Sequence, residues 1–211
     1  MRRSTIAVLC LAVSTLAACG SASAPYDPTG VDELTIPTPS PDPDDFAAEV
    51  TNRWLPLARV EAWEYDDRAR MSVLGTATQD GFALVELATT EPGEPADGAV
   101  DLYAQDDDGN VWWMGRDDAL FAEPGLAMPA EPRLGDGFVM ADAPGLEVRA
   151  EVVGVDETVS VPAGEYDEVV VLEVHDDEGE RREYFAAGVG LVAVETGNDT
   201  RGLLRVEEPP S

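Results

Sequence analysis

The sequence contains no lysine, a single histidine and two cysteines. Its 211 residues carry 43 acidic side chains against 13 basic ones, all of them arginine, for a formal net charge of -30. This charge excludes a nucleic-acid-binding protein, because phosphate contacts need clusters of Lys and Arg. Two cysteines exclude a disulfide framework and a Cys-rich zinc site, and one histidine excludes a multi-histidine metal centre.

The sequence also has no hydrophobic run long enough to span a membrane, and the apolar stretch near its N-terminus is short. The uncharged stretch covers residues 4–18, which is less than the roughly 20 residues that a membrane-spanning helix needs. It follows the positive segment Met1-Arg2-Arg3 and ends in Leu16-Ala17-Ala18-Cys19. Small residues before an obligatory cysteine form a bacterial lipobox, so residues 1–18 are predicted to be a lipoprotein signal peptide. The alternative is an ordinary signal peptide with a chance cysteine.

The lipobox predicts both a modification and a location. Cleavage before Cys19 and transfer of diacylglycerol to its thiol make Cys19 the lipid attachment site, with further acylation such as palmitate adding to the anchor. The protein is therefore expected to lie outside the cytoplasm, attached to the outer face of the cell membrane. Cys10 would leave with the signal peptide, so the processed chain would have no free thiol.

Residues 19–45 are rich in Pro, Ser and Asp and are predicted to link the lipid to a folded domain. Proline occupies every second position of residues 37–43, which favours an extended polyproline II conformation. A β-rich domain is predicted over residues 46–208, with residues 209–211 as a tail. At the start of this domain, Asp44 and the acids around it predict a short helix over residues 45–52.

From residue 60 onwards, short segments rich in Val, Leu and aromatics alternate with clusters of Gly, Asp, Asn and Pro, a pattern typical of β-strands. The predicted strands are Val60–Tyr65, Arg70–Thr78, Phe82–Thr89, Val100–Gln105, Val111–Met114, Leu146–Val155, Glu168–His175, Arg181–Phe185, Gly190–Glu195 and Leu203–Glu207. Side chains alternate between two faces, so Leu102 and Ala104 share one face and Asp101 and Tyr103 share the other.

The connections between these strands resemble hairpins, with Gly109 and Gly179 at two of the turns. Sequential hairpins predict an antiparallel meander that forms a strongly twisted sheet or half-barrel, so the fold class is mainly β. A long loop over residues 115–142, which contains three prolines, is expected to interrupt the series.

Several phrases in this region occur in a familiar order: Trp63-Glu64-Tyr65, Tyr103-Ala104-Gln105-Asp106, Gly109-Asn110-Val111-Trp112, Met128-Pro129-Ala130-Glu131-Pro132, Val161-Pro162-Ala163-Gly164 and Tyr184 to Val192. Together they resemble a family of uncharacterised secreted bacterial lipoproteins. The sequence departs from that pattern at Ala187, where the family has proline. The resemblance implies a β-rich fold outside the cytoplasm and no catalytic residues. It also suggests a half-barrel of the kind that shelters acyl chains, although a shared fold does not establish function.

No set of catalytic residues stands out, so an enzyme is not expected and a hydrolase is the third hypothesis. The acidic run Asp106–Asn110 lacks the spacing of a calcium loop and is interpreted as a hairpin tip. His175 is expected to face solvent at a strand end, and Ser72 and Ser160 lie outside any nucleophile elbow. We therefore predict no catalytic site, no metal and no cofactor.

The aromatic residues suggest a binding protein. Trp112 and Trp113 are adjacent, so in a strand they face opposite sides. The leading hypothesis is that one face of the sheet binds a small apolar or lipid-like ligand near Trp63, Tyr103 and Trp112. The alternative is a structural or interaction module of the cell envelope, in which these aromatics form only the core. The expected partners are the membrane, through the N-terminal lipid, and an apolar small molecule. The sequence does not determine the oligomeric state.

Overall fold

A computed structural model describes residues 42–93 and 98–209. The structure consists of a short 3-10 helix, Pro43–Asp45, and a series of antiparallel strands. The strands are β1 (Phe46–Ala47), β2 (Ala62–Tyr65), β3 (Arg70–Gln79), β4 (Phe82–Thr90), β5 (Val100–Asp106), β6 (Val111–Arg116), β7 (Ala119–Met128), β8 (Gly137–Ala143), β9 (Leu146–Val161), β10 (Gly164–Asp176), β11 (Gly179–Ala186), β12 (Gly190–Thr196) and β13 (Asp199–Glu207).

The strands form one sheet that curls into a nearly closed barrel. Its order is β7-β6-β5-β4-β3-β2-β13-β12-β11-β10-β9-β8, and β1 pairs with β5 outside this path. Each strand from β2 to β7 and from β8 to β13 therefore pairs with its neighbour in the chain. The β13–β2 ladder joins the last strand to the second and makes the two halves continuous. The predicted mainly β fold and antiparallel meander are confirmed.

The hairpin turns of the meander alternate between two ends of the barrel. At one end, the segment over residues 50–60, here called the plug, lies against the turns. The Asn52 side chain donates to the carbonyl oxygens of Gly109 and Pro129, at 2.9 and 3.2 Å, and accepts from the backbone amides that follow it. The Gly188 amide donates to Arg53 O at 2.6 Å. The plug thereby covers the end formed by the β5–β6, β7–β8 and β11–β12 turns.

The sheet packs hydrophobic side chains on both faces. The larger cluster fills part of the barrel interior and includes Trp63 and Trp113. The smaller cluster lies on the outer face of β4 to β7 and includes Trp112. Phe46 of β1 covers this outer cluster, with its ring 5.8 Å from that of Phe82 and 6.4 Å from that of Trp112. The prediction that the adjacent tryptophans face opposite sides is confirmed.

The predicted helix over residues 45–52 is wrong. Asp42 caps a single 3-10 turn, after which the chain becomes extended and Phe46 pairs with Asp106. Burying the Phe46 ring against the outer cluster outweighs the weak local helix preference, since tertiary packing routinely overrides propensity.

The predicted long loop over residues 115–142 is also wrong, because it contains β7 and β8. Pro124 and Gly125 lie within β7 and hide its strand character. Proline is tolerated there because β7 is an end strand of the sheet path, and a glycine inside a strand often marks a close approach of another backbone.

That close approach forms the seam of the barrel. Among the described residues, β7 and β8 share no backbone ladder, although they are the two ends of the sheet. The backbone of β8 instead lies against Gly125, where a Cβ would come within 2.0 Å of Met140 O. In the described part of the chain, the barrel is therefore closed by backbone packing between β7 and β8 rather than by a hydrogen-bonded ladder.

Candidate functional site

The barrel contains a cavity of about 1040 Å³ that opens at the end opposite the plug. Leu55 of the plug lines its inner end. Its mouth lies at the β2–β3, β8–β9, β10–β11 and β12–β13 turns, which contribute Asp67, Gly145, Asp177 and Asp199. Binding cavities for small molecules typically measure about 300–1,000 Å³, so this one can hold a sizeable ligand.

The inner part of the cavity is mainly apolar and aromatic. Tyr103 pairs with Trp113 across the β5–β6 ladder, and their rings stack with centroids 6.3 Å apart. The Trp113 indole donates to Gly115 O at 2.9 Å and meets Phe121 edge-on, which fixes its orientation. Other apolar side chains line the cavity as well: Ala69 near the mouth, and Met71, Leu87, Ala127, Met140, Val148, Phe185 and Leu191.

Two tyrosines that line the cavity differ in the hydrogen bonding of their hydroxyl groups. Tyr65 donates to Leu191 O at 3.0 Å and is fully engaged in the wall. The Tyr103 hydroxyl forms no hydrogen bond with another residue of 42–93 and 98–209; since no buried polar side-chain atom of these residues lacks a partner, this hydroxyl is accessible from the cavity that Tyr103 lines. Burial raises the pKa of Tyr103 well above its ordinary value, so the phenol stays protonated. Tyr103 therefore offers a ligand one neutral hydroxyl.

An arginine–carboxylate pair lies beside these aromatics. Asp101 is 8% exposed, and its carboxylate accepts from Arg116 Nε at 2.7 Å. The guanidinium also lies over the Trp113 ring, 4.8 Å from its centroid. Burial raises the pKa of the Asp101 carboxyl, while the bond from Arg116 opposes that rise. Removal of Arg116 would leave the Asp101 carboxylate buried and unpaired, which is costly.

Two further arginines line the cavity, and carboxylates hold both. Arg201 donates from Nε to Asp67 at 2.6 Å and from Nη1 to Glu91 at 2.9 Å. Arg181 donates from Nε to Glu183 at 2.7 Å and also bonds Asp176. All three cavity arginines thus have ordered carboxylate partners before any ligand binds.

The lining as a whole is acidic. It includes nine carboxylates, three arginines and no other ionisable cation. Asp177, Glu178 and Asp199 at the mouth form no ion pair with a described residue. Because the protein also carries a strongly negative total charge, the mouth is a region of negative potential.

The aromatics predicted to form a ligand site do not lie together. Tyr103 lines the cavity, beside Trp113, which the prediction did not include. Trp112 points to the outer cluster, and its Nε1 donates to Asp106 Oδ2 at 2.7 Å. Trp63 is fully buried, and its Nε1 donates to Val189 O at 2.6 Å. Trp63, Tyr103 and Trp112 therefore do not share one ligand-facing surface, and ligand binding itself stays a prediction. Cys19 lies outside the described residues.

Strand alternation gave only part of the signal for the correct tryptophan, because the choice between Trp112 and Trp113 depends on the hairpin register. Asp101 and Tyr103 share a face of β5, and the hairpin register pairs Tyr103 with Trp113 rather than Trp112. The one-residue shift between Leu102 and Tyr103 is a β-bulge, which sequence alternation cannot locate. The arginine pairs were not predicted: the Arg201 partners, Asp67 and Glu91, lie more than 100 residues away, while Arg116 and Arg181 pair with acids of their own or adjacent strands.

Two other acidic groups have local roles. The Asp106 carboxylate accepts from Asn110 N, Asn110 Nδ2 and Trp112 Nε1 at 2.7–2.9 Å, so it holds the β5–β6 turn together. His175 is exposed at the end of β10, as predicted. Its ring nitrogens lie 3.6 Å from a carboxylate oxygen of Glu173 and 3.8 Å from one of Glu180. One histidine and two carboxylates are ligand types that can bind a metal ion. Glu173 also bonds Arg182, so this surface group already has a cation partner.

Comparisons with known proteins give one weak structural similarity. No protein-family model and no curated protein matches the sequence. A solved structure from Bacteroides fragilis, described as a "putative exported protein with YmcC-like fold", is similar over 71% of this chain and 93% of its own, with 14% identity and a TM-score of 0.36. A similarity at this level supports no functional inference. In the described part of the chain, no helix is both long and apolar enough to cross a membrane.

Proposed function

We propose that this protein is an extracytoplasmic lipoprotein that binds a small amphipathic or lipid-like ligand in its barrel cavity without transforming it. The observation that carries the proposal is the cavity of about 1040 Å³, with an aromatic inner wall and a polar mouth. Apolar walls with a few placed polar groups are typical of ligand-binding sites. A ligand with an apolar body and a polar end matches this distribution.

The inner wall supplies the binding energy in this proposal. Burial of apolar surface contributes roughly 25 cal/mol per Å², so a ligand chain that covers several aromatic and aliphatic side chains reaches micromolar affinity. Tyr103 and the stacked Trp113 present flat surfaces at the centre of the wall. The described lining contains no serine, cysteine, lysine or histidine, and the proposal is one of binding and release.

Filling the cavity is expected to weaken binding. Ala127 lines the cavity, so Ala127→Phe should reduce affinity for the uncharged fluorescent probe N-phenyl-1-naphthylamine by at least tenfold. Titration of the probe, followed by its fluorescence and by quenching of the tryptophans, measures this effect. The melting temperature is recorded in parallel to confirm that the variant is folded.

The matched control is Ala122→Phe, which adds the same ring to an exposed position of the same strand. It should leave probe affinity unchanged. Ala69→Leu fills the cavity from another wall and should weaken binding by severalfold. A wild-type protein that does not bind the probe, or an Ala127→Phe variant that binds equally well, would contradict the proposal and favour the interaction module.

The anchor is proposed from the lipobox and has a separate test. Replacement of Cys19 by Ala removes the thiol that accepts diacylglycerol, so the protein should leave the membrane fraction or remain as an unprocessed precursor. Intact mass spectrometry of the membrane-bound wild type should show Cys19 as the N-terminal residue, carrying acyl chains. An unmodified Cys19 in that form would contradict the anchor without affecting the cavity proposal.

A further inference from the structure

We infer that the ligand carries a positively charged head group, so the cavity selects cationic amphiphiles over anionic or neutral ones. This inference rests on the proposed function, because it assigns the charge of the ligand held in the same cavity. It follows from how the charged groups of the lining are already paired, from the unpaired acids at the mouth and from the chemistry of the inner wall.

The cavity arginines are not available to an anion. Arg201 directs three nitrogens at Asp67 and Glu91, and Arg181 is shared between Asp176 and Glu183. A carboxylate or phosphate would have to displace one of these ordered partners. The displaced acid would then lie next to the incoming anion, and like charges at that distance repel. The three arginines therefore act as supports for the wall rather than as anion receptors.

The mouth, in contrast, has acids without partners. Asp177, Glu178 and Asp199 lie on two hairpin turns that border the opening, and none forms an ion pair with a described residue. A cation at the mouth meets these carboxylates without breaking an existing contact. A cleft of one charge sign also concentrates counter-ions and speeds the association of oppositely charged ligands.

The inner wall offers a second and independent kind of contact for a cation. Tyr103 lines the cavity, and its hydroxyl oxygen forms no hydrogen bond with another described residue and is not fully buried. The aromatic rings beside it attract cations through their negative faces, and Arg116 already uses Trp113 in this way at 4.8 Å. An ammonium group that enters past the mouth thus meets a hydroxyl oxygen and aromatic rings, beside an Arg116 charge that Asp101 already neutralises.

Binding of three ligands that share a twelve-carbon chain tests the inference: dodecyltrimethylammonium, dodecanoate and dodecyl maltoside. Isothermal titration calorimetry is performed below the critical micelle concentrations, at low salt, on residues 19–211 with Cys19→Ala. Dodecyltrimethylammonium should bind at least tenfold more tightly than dodecanoate. This ratio should shrink at 150 mM salt, because exposed charges are screened over about 8 Å.

Charge variants locate the effect. Asp177→Asn, Glu178→Gln and Asp199→Asn together should weaken binding of the cation about tenfold and leave the maltoside unchanged. The matched control combines Asp80→Asn, Asp107→Asn and Asp108→Asn, three exposed acids at turns of the plug end. It removes the same charge far from the mouth and should change the affinity for the cation by less than twofold.

The outcomes separate the two proposals. If the three ligands bind equally, or dodecanoate binds more tightly than the cation, the charge inference is overturned while the binding function survives. An equal loss in the mouth and plug-end variants would also overturn it, because only the total charge would matter. If neither these ligands nor the neutral probe binds, the proposed function itself fails.

Discussion

Gly125→Ala should lower the free energy of unfolding by about 3 kcal/mol or more, which is a large effect for the addition of one methyl group. A Cβ at this position would lie 2.0 Å from Met140 O and 2.3 Å from Met140 C. These are backbone atoms of β8, which cannot move aside as the end of a flexible side chain can. The variant must therefore push β8 away from β7 and open the seam.

The matched control is Gly137→Ala, at the start of β8. A Cβ there would meet only Ala150 O, at an ordinary contact distance of 3.9 Å, so the change should cost less than about 1 kcal/mol. Urea unfolding followed by tryptophan fluorescence compares the two variants. Equal stability of Gly125→Ala and wild type would mean that the barrel is not closed by this backbone contact.

Trp63→Ala should destabilise the protein by about 3–5 kcal/mol, the range for removal of a buried indole. Trp63 is fully buried in the larger cluster, and its Nε1 donates to Val189 O at 2.6 Å. Gly190 packs so tightly against it that an added Cβ would lie 3.0 Å from the indole nitrogen. The ring therefore joins β2 to the β11–β12 turn, and its loss leaves both a void and an unpaired carbonyl.

Trp63→Phe separates these two contributions. It keeps an aromatic ring but leaves the Val189 carbonyl without its partner, so it should cost about 1–3 kcal/mol. Leu204→Ala, at an exposed position of the adjoining β13, should change stability by less than about 0.5 kcal/mol. If Trp63→Ala proved as mild as Leu204→Ala in urea or thermal unfolding, Trp63 would not be a structural core residue.

Trp63 also shows why a sequence cannot separate a core aromatic from a ligand-facing one. Buried tryptophans and cavity tryptophans have the same local surroundings in a strand. Here, Gly190 and Val189 fill the space around Trp63, although they are distant in the chain. Trp112 is sealed in the same way by Phe46. Only Tyr103, of the three predicted residues, faces a space that its neighbours leave open.

The fold class followed from local patterns alone. Hydrophobic alternation with period two and turn residues between the segments indicated ten strands, and each corresponds to a strand of the structure. These signals are short-range, because a hairpin depends on residues only a few positions apart. The mouth turns and the strongly acidic composition were also visible in the sequence. Cys19 and the signal peptide were predicted from the lipobox and remain predictions.

Only the tertiary structure determined the conformation of segments that contact distant parts of the chain. Gly125 and Pro124 suggested a loop, but the approach of β8 and the end position of β7 make a strand there. Residues 45–52 suggested a helix, but the outer cluster and the β5–β6 turn draw them into an extended strand and a plug. The cavity depends on the closure of the sheet, and the pairing of Arg201 with Asp67 and Glu91 joins strands far apart in sequence. Such contacts reflect packing and charge across the whole barrel, which no local pattern of residues contains.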